Sequence, residues 1–84
     1  YPNPFNPETM ISYQLSVVSD VELTIYDILG RKVVTLMDAR QDAGRYQVRW
    51  DGRDRLGRMA GAGVYYYRLS ADTFHDTKKM LLLK

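Results

Sequence analysis

Val21-Glu22-Leu23-Thr24-Ile25-Tyr26 is the stretch that decides the fold. Aliphatic residues occupy every second position, so an extended chain sets Val21, Leu23 and Ile25 on one face and the intervening residues on the other. The same period runs upstream through Ile11, Tyr13 and Leu15, which alternate with Met10, Ser12 and Gln14. It returns downstream in Tyr46, Val48 and Trp50, separated by Arg45, Gln47 and Arg49. A helix over residues 21 to 37 is excluded by its frequent β-branched residues and by Gly30 in mid-segment.

Turn signals divide the alternating runs. A first strand is expected over about residues 9 to 15, followed by a turn at Val17-Val18-Ser19-Asp20. Asp27-Ile28-Leu29-Gly30-Arg31 reverses the chain, with Gly30 in the left-handed position. A third strand is expected through Lys32 to Met37, a polar loop from Asp38 to Gly44, and a fourth strand ending at Trp50. Asp51 to Gly63 holds four of the six glycines and reads as the longest irregular stretch. Val64 to Ala71 and Phe74 to Leu83 complete the pattern, with a turn near Ala71-Asp72-Thr73. Six or seven short strands with regular turn signals predict an all-β, immunoglobulin-like antiparallel sandwich burying the aliphatic stripes and Trp50. No internal repeat is evident, and no low-complexity tract beyond the proline-rich opening.

The opening Tyr1-Pro2-Asn3-Pro4-Phe5-Asn6-Pro7 contains all three prolines. Proline has no amide donor and a fixed φ, so residues 1–8 read as an extended lead-in to a sandwich over 9–84. Such a segment suits the junction between a preceding domain and a small module, and the chain, lacking an initial methionine, is expected to be a processed or excised piece of something longer. At the other end, Lys78-Lys79-Met80-Leu81-Leu82-Leu83-Lys84 stays apolar to its penultimate residue. That end should therefore be tied into a sheet, with lysines discouraging unwanted edge pairing.

Eighty-four residues make one domain with an adequate but not generous core. The absence of cysteine removes disulfides and thiolate metal ligands, and says nothing about compartment. A net charge of +2 does not by itself imply nucleic acid or an anionic membrane. No run is apolar enough for a transmembrane segment.

The search for chemistry yields no catalytic set. His75 is the single histidine: one histidine in an expected strand or turn near the chain end gives little support for a triad, the lack of a second histidine or any cysteine removes the usual zinc sites, and it reads as a solvated polar residue. Asp51-Gly52-Arg53-Asp54 sets two carboxylates three residues apart in a glycine-rich loop. They could bind calcium, but the spacing is not that of an EF-hand and the neighbouring arginines oppose a cation; Asp51, Gly52 and Asp54 are expected to structure the loop through backbone hydrogen bonds. Arg45, Arg49, Arg53, Arg55 and Arg58 form a basic cluster. Tyr46 and Trp50 are expected to point away from it into the core, and cross-strand pairing with acids such as Glu22 is expected to neutralise much of it, which disfavours nucleic acid. In Tyr65-Tyr66-Tyr67 alternation leaves at least one ring exposed. A sugar-binding platform would need several such rings to be coplanar.

Taken in order, several segments resemble one family. These are Tyr1 to Pro7, Leu23-Thr24-Ile25-Tyr26-Asp27, Leu29-Gly30-Arg31, Trp50-Asp51-Gly52-Arg53-Asp54, Gly63-Val64-Tyr65-Tyr66-Tyr67-Arg68-Leu69 and Lys79-Met80-Leu81-Leu82. Together they resemble the C-terminal sorting domain of type IX secretion cargo, which is related to FlgD-like immunoglobulin modules. The resemblance implies a non-enzymatic bacterial sorting domain without cofactors. Its partners would be the type IX translocon, a sortase-like peptidase and the upstream cargo, with the product released or held at the outer-membrane surface after passing the periplasm. Gly63, Tyr65, Tyr67, Leu69, Lys79, Met80, Leu81, Leu82, Leu83 and Lys84 match the parts associated with the signal, and Tyr1, Pro2, Asn3, Pro4 and Phe5 match the cargo linker. Two alternatives accompany this reading: a self-assembling fibre or surface subunit built by strand addition, and a FlgD-like accessory or carbohydrate-binding module.

Overall fold

The computed structural model describes residues 9–72 and 74–82, so Tyr1 to Phe5, Leu83 and Lys84 lie outside the described residues. Six strands follow in order: β1 Thr9–Leu15, β2 Ser19–Tyr26, β3 Lys32–Gln41, β4 Gly44–Trp50, β5 Gly63–Ala71 and β6 Phe74–Leu82. They form two antiparallel sheets, one of β1 and β4, the other ordered β3-β2-β5-β6. There is no helix among the described residues.

The period-two stripes become the core. Val21, Leu23 and Ile25 of β2 lie opposite Ala71, Leu69 and Tyr67 of β5. On the facing sheet Ile11 is opposite Val48, and Thr9 is opposite Trp50. Leu23 and Ile25 have no exposed surface, and Trp50, Ile11 and Leu82 are buried with them. The Trp50 indole meets the Tyr65 ring edge-on at 5.1 Å and donates its Nε1–H to the Arg53 carbonyl at 2.9 Å. It therefore fills the core while also satisfying the loop that leaves β4.

Two expectations need correction. The segment Asp38 to Gly44 is not a loop: β3 continues to Gln41, and the reversal takes only Asp42 and Ala43. Polar residues persist there because β3 is an edge strand, where side chains off the core meet solvent. Ala39 and Arg40 pair in register with Val21 and Asp20, and Arg40 adds an ion pair to Asp20 at 3.0 Å. Correspondingly, Ser19 and Asp20 belong to β2 and not to the preceding turn. Glu22 is not a cross-strand neighbour of the basic cluster on β4, because it sits in the other sheet opposite Asp38 and Ser70. Register shifts beside Thr24 and Tyr26 let the longer β3 follow β2 as the sheet twists.

Replacing Trp50 with alanine is expected to cost on the order of 3–5 kcal/mol, since it empties a large buried volume and strands the Arg53 carbonyl. Urea unfolding followed by tyrosine fluorescence or circular dichroism measures it; a loss below about 1 kcal/mol would contradict the central role assigned to this side chain.

Candidate interaction surfaces

The residues expected to carry a signal divide between two faces of one hairpin. Tyr65, Tyr67 and Leu69 of β5 turn inward, and Tyr66 is the exposed member of its triplet. In β6, Met80 and Leu82 turn toward the core, whereas Lys79 and Leu81 face out beside Tyr66 and Val64. Gly63 opens β5 opposite Leu82, with φ +145°. The Tyr65 hydroxyl returns to the Gly61 carbonyl at 2.6 Å and pins the start of β5 to its loop. β6 is also an edge strand, and it carries Asp76 and Lys78 on the face it shares with Met80 and Leu82. Exposed His75 lies 3.3 Å through Nδ1 from Arg68 Nη2.

Asp51 and Asp54 both order the loop after β4. Asp51 Oδ1 accepts the Arg53 N–H at 3.1 Å, and buried Gly52 takes φ +81°. Asp54 Oδ1 accepts the N–H groups of Leu56 and Arg58 at 2.9 and 3.0 Å, while Oδ2 accepts Arg58 Nε at 3.2 Å. Among the described residues no group of three His, Cys, Asp or Glu side chains converges as a metal site would require.

The Asp54 arrangement occurs a second time. Asp27 Oδ1 accepts the N–H groups of Leu29 and Arg31, both at 2.9 Å, and Oδ2 accepts Arg31 Nε at 2.8 Å. In each turn the aspartate carbonyl accepts the glycine N–H, and the aspartate N–H donates to the arginine carbonyl. Gly30 and Gly57 share nearly the same φ, +80° and +83°. Both turns spell Asp-x-Leu-Gly-Arg, at residues 27–31 and 54–58. This duplicated signal was legible in the sequence and was missed because it spans only five residues, far less than a structural repeat. The Arg55 N–H donates to the Val33 carbonyl at 3.2 Å, which ties the second turn to the strand leaving the first. Between them lies an open cleft of about 540 Å³ lined by Asp27, Arg31, Lys32, Asp54, Arg55 and Arg58 over a floor that includes Val33, Ala60 and Tyr65.

A family model for the FlgD Ig-like domain matches residues 6–74. The chain belongs to the FlgD Ig-like domain family. This FlgD Ig-like module superposes on the crystal structure of FlgD from P. aeruginosa with TM-score 0.67 and 26% identity, covering 96% of this chain and 63% of that one. It also superposes on dimeric latent PorU from Porphyromonas gingivalis with TM-score 0.71 and 22% identity, covering 100% of this chain but 9% of PorU. The module thus spans less than two thirds of either protein. No curated protein matches it. No helix among the described residues is long and apolar enough to cross a membrane.

Two further surfaces of the FlgD Ig-like module bear on sugar binding. Tyr13 and Tyr46 stack at 5.4 Å between centroids, with an interplanar angle of 21°. Their hydroxyls are engaged by Gln41 Oε1 at 2.5 Å and the Asp42 carbonyl at 2.6 Å, and burial pushes the Tyr13 phenol above its usual range. Each ring covers the other, so the pair is not a platform of rings side by side. Tyr66 instead borders a shallow recess with Tyr26, Ile28, Arg68 and Thr77 on the outer sheet face.

The turn carboxylates set a pH dependence. Asp27 and Asp54 are held below the usual aspartate range, first by the backbone N–H of Arg31 and of Arg58, which together with the other donors outweighs desolvation. A depressed folded value gives stability that is complete above the unfolded value of about 4 and is lost as pH falls through the lower folded values. The urea midpoint is therefore expected to drop on acidification below about pH 4, and more shallowly in an Asp27→Asn, Asp54→Asn double variant. Identical acid slopes for the two proteins would contradict this assignment.

Proposed function

We propose that this FlgD Ig-like module is a non-enzymatic sorting domain, directing a larger bacterial cargo through the type IX translocon for release or attachment at the outer-membrane surface. The observation that carries the reading is the form of β6. One face is anchored by Met80 and Leu82, the other presents Lys79 and Leu81, and the strand lies at the sheet edge. A receptor can read such a strand without unfolding the module, because the inward side chains hold it in place while the outward ones and one backbone edge stay accessible. The ordered motifs from Tyr1-Pro2-Asn3-Pro4-Phe5 to the closing Lys79 to Lys84 support the same reading. Translocon components and a sortase-like peptidase would be the partners, and the Pro-rich opening would join the cargo.

Deleting Lys79 to Lys84 from a cargo fusion is expected to leave the cargo in the periplasm. Because Met80 and Leu82 also close the core, a second fusion with Lys79→Glu and Leu81→Asp separates a lost address from a lost fold. It should be retained in the periplasm while unfolding at the same urea concentration as the parent module. Undiminished surface display of this folded variant would overturn the proposal.

A second reading, self-assembly by strand addition, draws on the small sheet. Among the described residues β1 and β4 pair only with each other, so each has one edge without a ladder partner. Analytical ultracentrifugation is expected to show concentration-dependent association if this reading holds, and a monomer at all concentrations would count against it.

A further inference from the structure

We propose that the cleft between the two Asp-x-Leu-Gly-Arg turns binds an acidic peptide segment of a partner protein. This inference is independent of the sorting role, because it rests on the charge and shape of the turns and not on the terminal strand.

The cleft is a preorganised cationic surface. It contains four cations, Arg31, Lys32, Arg55 and Arg58, against two carboxylates, Asp27 and Asp54. Its excess of two positive charges equals the formal excess of the whole chain, so the remainder of the module is balanced. Both carboxylates are already occupied by backbone N–H groups and by Nε of their own arginines. Each guanidinium is thus fixed by its inner nitrogen while its two terminal nitrogens remain for a ligand, and both side chains are 73% exposed. A planar fork held in this way suits a carboxylate that accepts two parallel bonds. Lys32 and Arg55 have no carboxylate partner among the described residues. The bond from Arg55 to Val33 fixes the separation of the turns, so little ordering remains to be done on binding.

Apolar groups distinguish a polypeptide from a small anion. Leu29 and Leu56 are 71% and 66% exposed at the turn tips. A free oligoanion would leave that surface in water, whereas a peptide can lay carboxylates in the cleft and cover the tips with its own side chains. Nucleic acid lacks a stacking surface here, because Tyr65, the aromatic ring of the cleft floor, is buried against Trp50 and its hydroxyl is bonded to Gly61.

The test is a titration of the isotope-labelled full chain with a hexaglutamate peptide, read by backbone amide chemical shifts. Changes are expected at residues 27–33 and 54–60, diminishing as salt is raised toward about 0.5 M. A Lys32→Ala, Arg55→Ala variant should bind at least about tenfold more weakly while keeping the parent spectrum elsewhere, since neither side chain supports the core. Four outcomes would overturn the proposal: no shifts at millimolar peptide, shifts centred on Arg45 to Arg49, unchanged affinity of the variant, or tighter binding of tripolyphosphate than of the peptide. The last would reassign the cleft to free oligoanions.

Discussion

The burial of Trp50 is the constraint from which the rest of this structure follows. Its ring lies at the end of β4, where the small sheet must cover the large one, and it reaches across to Tyr65 at the start of β5. Its one polar atom is bonded to the Arg53 carbonyl, so core and loop become a single packing problem. Gly52, buried beside it with positive φ, lets the chain leave β4 sharply enough to bring that carbonyl within reach. The chain then passes through the second arginine turn and returns to β5, where the Tyr65 hydroxyl closes the circuit on Gly61.

Much of the sandwich was legible because its core strands largely alternate, buried Thr24 of β2 departing from the pattern. β1, β2, β4 and β5 each place aliphatic or aromatic residues on every second position, and their expected positions agree with the structure to within two residues. The far end of β3 was not legible. Asp38 and Arg40 look like loop residues, and what holds them extended is a neighbour from distant sequence, the start of β2. Pairing of this kind overrides local preference, so no window confined to residues 38–41 contains it. The cross-strand neighbour of the basic cluster was misread for the same reason: sheet membership decides whether Glu22 can lie across a strand from Arg45, and alternation alone does not specify which sheet a strand joins.

The surfaces were less legible than the fold. Alternation sorted Tyr65, Tyr66 and Tyr67 into inward and outward faces, yet it could not bring residue 27 beside residue 54. That juxtaposition needs β3 to run back along β2 and the long loop to fold over Val33. Belonging to the FlgD Ig-like family accounts for the sandwich, and the two structural likenesses give that architecture independent support. What the module does must come from its edges and turns, because one scaffold of this type can serve many recognition tasks.

The charged pair Asp76 and Lys78 has a consequence for traffic along the last strand. Any newcomer docking lengthwise on β6 would have to leave this stretch open to water or strip hydration from two ions. Charge on this stretch of an edge strand discourages unplanned pairing there.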